Sequence, residues 1–97
     1  MARLRVDIKA KRATLKGELV FDTVMQAEQQ TRRLFNSGKA WRINLAGVRR
    51  ADSAALALML EWLARARQRN GRLRFEQPPT AILDLARVTN IRELLGL

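Results

Sequence analysis

Neither cysteine nor histidine occurs among the 97 residues. The first absence excludes a disulfide scaffold and a thiol nucleophile; the second removes the commonest metal ligand and the usual general base at neutral pH. There is no phosphate-cradling loop and no dinucleotide-binding glycine fingerprint, and the carboxylates are scattered rather than paired. No apolar run approaches the length needed to span a bilayer. The first ten residues, M-A-R-L-R-V-D-I-K-A, alternate charge with apolar side chains where a signal peptide would carry a continuous apolar stretch. The expectation is a soluble cytoplasmic protein, one domain over residues 1–97, with no catalytic constellation, metal site or cofactor. A chain of this length buries about two-thirds of the surface its unfolded form exposes.

What the sequence does have is positive charge. Lys and Arg number 19 against 9 Asp and Glu, a net charge of +10. Such an excess draws the protein toward anionic partners over long range without naming the anion. It is regional: six basic and two acidic residues in 1–20, eight and three in 41–77, and two of each in 78–97.

Leu4, Val6, Ile8 and Ala10 alternate with charged residues and predict a half-buried strand. Lys11-Arg12 would turn the chain into a second strand carrying Ala13, Leu15, Gly17 and Leu19, paired antiparallel to the first. Asp22 or Thr23 then caps a helix of about four turns, with Gln26 placed for a capping box. Val24, Ala27, Thr31, Leu34 and Phe35 form its inner stripe, and Asn36-Ser37-Gly38 ends it, with Gly38 suited to a left-handed position. A third strand, Trp41–Leu45, leads through a turn, Ala46–Arg50, into a second helix whose stripe is Leu56, Leu60 and Leu63 broadened by Met59 and Trp62. Leu73 and Phe75 mark a fourth strand that Pro78-Pro79 breaks. A third helix covers Thr80 to Val88 and a last short one Ile91 to Leu95. The order ββαβαβαα predicts a mixed α/β (α+β) fold, a four-stranded sheet with helices mainly on one face. Its other face would hold Arg3, Arg5, Lys16, Arg72 and Arg74.

The strand–turn–helix junction around Asp52 and Ser53 is the candidate site. One of the pair caps the second helix, and the other is a hydroxyl held at the helix's positive end beside Arg49 and Arg50. That place suits contact with a polar or anionic partner group, or acceptance of a phosphoryl group. Ser53 has no histidine to activate it as a catalytic nucleophile and no glycine-rich elbow around it. Arg65, Arg67, Arg69, Arg72 and Arg74 form the densest basic run. Three of them complement a helix C-terminus and two sit on a polar strand face, and no aromatic platform accompanies them, so nucleic acid is not the expected partner.

The strand I-N-L at 43–45, the run R-R-A-D-S-A-A-L-A-L-M-L at 49–60, and L-A-R-V-T-N-I at 85–91, in this order of elements, resemble the STAS domain family (sulfate transporter and anti-sigma factor antagonist), within it the short MlaB type. The resemblance implies a STAS fold and a non-catalytic cytoplasmic accessory subunit. Its partner would be the ATPase of an ABC-type phospholipid transporter that maintains outer-membrane lipid asymmetry, with the membrane reached through that complex. Asp52 falls on the family's motif aspartate, Ser53 on the hydroxyl residue after it, and Ala54 and Ala55 on two glycines of the MlaB-type form. The implied partner-binding set is therefore Arg49, Arg50, Asp52, Ser53, Ala54 and Ala55. The alternative implied by the family is an anti-sigma factor antagonist. There the phosphate acceptor is the second hydroxyl of the motif, which is Ala54 here, leaving Ser53 as the candidate phosphorylation site.

Overall fold

Among the described residues four strands lie side by side in chain order: β1 (Leu4–Lys9), β2 (Arg12–Leu19), β3 (Ala40–Ala51) and β4 (Arg72–Glu76). β1 and β2 are antiparallel, while β2/β3 and β3/β4 are parallel. Parallel neighbours require crossovers, which are supplied by α1 (Val24–Thr31, continued by a 3-10 turn over Arg32–Asn36) and α2 (Ser53–Gln68). α3 (Thr80–Val88) follows β4. This computed structural model describes residues 1–36 and 38–97, with the side chains of Phe35 and Asn36 left out. The predicted helix stop at Ser37 and the inner-stripe place of Phe35 lie outside the described residues; Gly38 takes the left-handed φ, 66°, that its position predicts.

The helices cover one sheet face, and a single core fills the space between the layers. Leu15, Ile43, Leu45 and Val48 from the sheet meet Ala55, Met59, Trp62 and Ile82 from the helices. α2 packs against α1, α3 and β4. Its buried stripe is centred on Ala55, Leu56, Met59, Trp62 and Ala66, while Leu60 and Leu63 are half-buried, so the helix is rotated from the expected Leu56-Leu60-Leu63 line. The Trp62 indole N–H donates to Thr31 Oγ1 at 2.8 Å, and that hydroxyl donates to the Ala27 carbonyl at 2.8 Å. This short chain links α2 to α1 through the core, satisfying polar groups that would otherwise be buried without partners.

Several local expectations are corrected. The hairpin turns at Ala10-Lys11, one residue earlier than Lys11-Arg12, because Lys9 pairs with Arg12. Both turn residues adopt left-handed φ values, 51° and 64°, the requirement of a tight two-residue hairpin whose twist matches its strands. Ile8 is 44% exposed, since β1 is an edge strand that α1 covers only toward Leu4. The capping box does not form. Thr23 Oγ1 accepts from Val20 N–H at 3.0 Å and donates to the Glu18 carbonyl at 2.7 Å, closing the β2–α1 turn. Gln26 instead donates to the Leu4 carbonyl at 2.8 Å and pins α1 to β1. Val88 is exposed, and residues 91–97 form hydrogen-bonded turns rather than a helix, with Leu95 N–H reaching the Ile91 carbonyl at 3.2 Å.

The largest correction concerns Ala46–Arg50, which is strand. β3 runs to Ala51 beside β2, and two irregularities absorb the extra residues: Thr14 and Lys16 pair with Asn44 and Gly47, and Gly17 and Glu18 with Val48 and Arg50. Bulges interrupt the period of two just as a turn does. Asn44 Oδ1 accepts from Ala46 N–H at 2.9 Å within the first of them. Gly47 is required there, since a Cβ would lie 2.7 Å from Lys16 Cγ and 2.9 Å from the Leu15 carbonyl oxygen.

Candidate functional site

The site begins where β3 delivers the chain to α2. Asp52 is the N-cap, with extended backbone (φ −128°, ψ −171°), and its Oδ1 accepts from Ala54 N–H at 2.9 Å. Its Oδ2 accepts from Phe21 N–H at 3.0 Å, so one carboxylate both caps α2 and ties it to the segment entering α1. Ser53, the first helical residue, is exposed. Ala54 is half-buried and Ala55 fully buried. The structure therefore places Ala55 in the core, with no surface for a partner to touch. Arg50 reaches Glu18 Oε2 at 3.0 Å and Arg49 is exposed.

Beside Ser53 lies an apolar groove between α1 and α2. Phe21, Val24, Met25, Ala54, Ala57 and Leu58 line it, with Glu28 and Arg32 at its rim. Phe21 and Met25 are 75% and 72% exposed, which leaves two large apolar side chains in water next to the helix start. A contiguous apolar patch framed by polar groups is the usual composition of a protein-docking surface. Sequence reading missed it. The available signal was Met25, a large apolar residue off the Val24-Ala27-Thr31 stripe, on the face shared with polar residues.

Two carboxylates brace the region. Glu28 bonds Arg32 at 2.8 Å and Arg65 at 2.7 Å, and Arg65 also reaches Glu61 at 3.1 Å, clasping α1 to α2. Hydrogen bonds from Arg32 and Arg65 outweigh burial and hold the Glu28 carboxyl below its ordinary value of 4.5. Burial pushes Glu18 up, but the Arg3 backbone N–H and the Arg50 and Arg49 guanidiniums outweigh it, leaving that carboxyl lowered as well. A carboxylate whose pKa is lower folded than unfolded stabilises the fold above its unfolded value and loses that contribution as pH falls through its folded value. Thermal melts should therefore show stability declining as pH drops below about 4.5. The stability difference between the parent and Glu28→Gln should shrink over the same range.

Among the described residues no three carboxylates gather to hold a metal ion, and no helix is long and apolar enough to cross a membrane. No curated protein matches the chain. Solved structures do. A putative anti-sigma factor antagonist from Thermotoga maritima superposes with a TM-score of 0.73 at 17% identity, over 94% of this chain and 81% of its own. The anti-sigma factor antagonist SpoIIAA in its unphosphorylated form gives 0.68 at 9% identity, over 98% of both chains. A structure described as Mglu gives 0.59 at 23% identity, over 78% of this chain but 20% of its own. At these identities the likeness is one of fold. The family model described as "Mlab, STAS domain" matches residues 3–96, the whole four-stranded sheet with its three helices, and the chain belongs to that MlaB-type STAS family, whose members act through protein–protein contacts.

Proposed function

We propose that this chain is a non-catalytic accessory subunit that docks the ATPase of an ABC-type phospholipid transporter on the cytoplasmic side of the membrane and supports its assembly or activity. The observation that carries the reading is the pairing of the exposed Ser53 helix start with the apolar groove of Phe21, Met25, Ala54 and Ala57 in a chain of the MlaB type. Asp52 positions the surface from behind, and Arg49 and Arg50 lie at the end of the strand that delivers it. The aromatic and thioether side chains supply the buried contact, and Ser53 supplies a polar point that fixes register.

The second reading, an anti-sigma factor antagonist, draws support from the fold shared with SpoIIAA. It would need a partner kinase and phosphate on Ser53, visible as an added phosphoryl mass, because Ala54 has no hydroxyl. The deciding experiment is co-purification of the tagged protein with the ABC ATPase and permease of its own source, with ATP hydrolysis measured with and without it. Ser53→Arg and Met25→Glu should each weaken capture of the ATPase by about thirtyfold, the loss expected of a residue at the centre of an interface. Their unfolding free energies should stay within about 0.5 kcal/mol of the parent, as for exposed positions generally. Glutamate in the first turn of α1 is, if anything, favourable to the helix dipole, which separates lost docking from lost folding. Unchanged capture by both variants would remove this surface from the interface.

A further inference from the structure

The sheet face away from the helices is a broad cationic surface. Arg5 and Lys9 on β1, Arg12 and Lys16 on β2, Arg42 on β3, and Arg72 and Arg74 on β4 share the side opposite the buried Leu4, Leu15, Ile43 and Phe75. Three carboxylates lie in the same rows, one of them Glu18, which Arg50 takes at 3.0 Å. Asp7 takes Arg5 at 3.2 Å, and Glu76 is shared by Arg12 at 2.9 Å and Arg42 at 3.7 Å. Lys9, Lys16, Arg72 and Arg74 are exposed and engage no carboxylate among the described residues. Among the described residues no element covers them, because α1, α2 and α3 all pack on the other layer.

We propose that this face rests directly on an anionic phospholipid surface. Three features favour that occupant. The cations are spread in two dimensions across all four strands, which suits a fluid plane of headgroups, whereas a nucleic-acid backbone asks for a track. No aromatic side chain stands on this face among the described residues, since Trp41 and Phe75 have the inward parity of Ile43, so the stacking platform of a single-strand binder is missing. The molecule is a slab about 20 Å thick against 31 by 28 Å in breadth, with the Phe21–Met25 groove in the helical layer, so a protein partner and a lipid surface can be held together. Each basic residue brought near an anionic leaflet adds to the attraction, and the effect fades within a screening length.

The test is sedimentation of the purified protein with vesicles of phosphatidylcholine alone and of an equimolar mixture with phosphatidylglycerol. Binding to the mixed vesicles, absent from the neutral ones and declining with added salt, is the expected result. The combined variant Lys16→Gln, Arg72→Gln, Arg74→Gln should bind at least about tenfold more weakly. Arg67→Gln with Arg69→Gln, which removes exposed cations from the helical layer, should bind as the parent does. Circular dichroism and thermal melts of both variants confirm that each is folded before binding is compared. Failure of the parent to bind mixed vesicles, or equal weakening by the two variants, would overturn the proposal. Tighter binding to a DNA or RNA oligonucleotide through the same three residues would overturn it too, giving the face to nucleic acid. None of these readouts involves the ATPase, so the result stands apart from the docking reading.

Discussion

Replacing Trp62 with alanine should cost the domain about 4 kcal/mol, the range for deleting a large aromatic from a packed core. Small domains hold only about 5–15 kcal/mol of stability, so the variant should lose a large share of it and unfold at a markedly lower urea concentration than the parent. Trp62 is fully buried, tilts against Phe75 with ring centroids 6.3 Å apart, and donates to Thr31. Thr31→Val separates the polar contribution from the packing. It keeps the shape but leaves the indole N–H without an acceptor, in a protein where no buried side-chain nitrogen or oxygen among the described residues lacks a partner. Its cost should be about 2 kcal/mol. Adding Trp62→Phe to Thr31→Val should cost less than Trp62→Phe alone, because the stranded donor leaves with the indole. Urea unfolding of the four proteins checks the cycle, and strict additivity would show that the hydrogen bond contributes nothing.

The second large effect is expected at Asp52. Asp52→Ala removes the α2 cap and the tie to Phe21 N–H together, about 2 kcal/mol in all. Asp52→Asn distinguishes the two. An asparagine carbonyl can still cap Ala54 N–H, but its amide nitrogen cannot accept from Phe21, so this variant should lose about 1 kcal/mol. Phe21 belongs to the proposed docking groove. Releasing its backbone from α2 should weaken ATPase capture by Asp52→Asn more than the small stability loss explains. Equal capture by Asp52→Asn and the parent, with the protein folded, would mean that Phe21 does not need to be held.

What could be read in advance divides along physical lines. The alternation of Leu4, Val6, Leu15, Leu19, Leu73 and Phe75 is a direct imprint of one-sided burial, and it located the strands and their order. Thr80 to Val88 matched its helix because Pro79 and the apolar spacing mark both ends. The bulges in β3 were illegible, since Ala46-Gly47 reads as a turn until Lys16 is known to lie across from Gly47. The Asp52-Ser53 helix start could be placed from capping chemistry alone, although which residue caps needed the geometry. The groove is formed by Phe21 and Met25 meeting Ala54 and Ala57 about thirty residues later in the chain, a juxtaposition that no local periodicity encodes. The Glu28–Arg65 clasp is hidden for the same reason.

The chain-order arrangement of the sheet bears on how the molecule is made. Each strand pairs with the one synthesised before it, and none has to insert between two strands already joined. A growing chain can therefore add β2 to β1, β3 to β2 and β4 to β3 without reopening a completed ladder. Much of the loop-closure entropy is paid in short instalments, which favours rapid folding for a sheet with two parallel pairings. One edge advances by one strand at a time, so that side of the half-built sheet is offered first to the segment about to arrive, while β1 remains the other edge throughout.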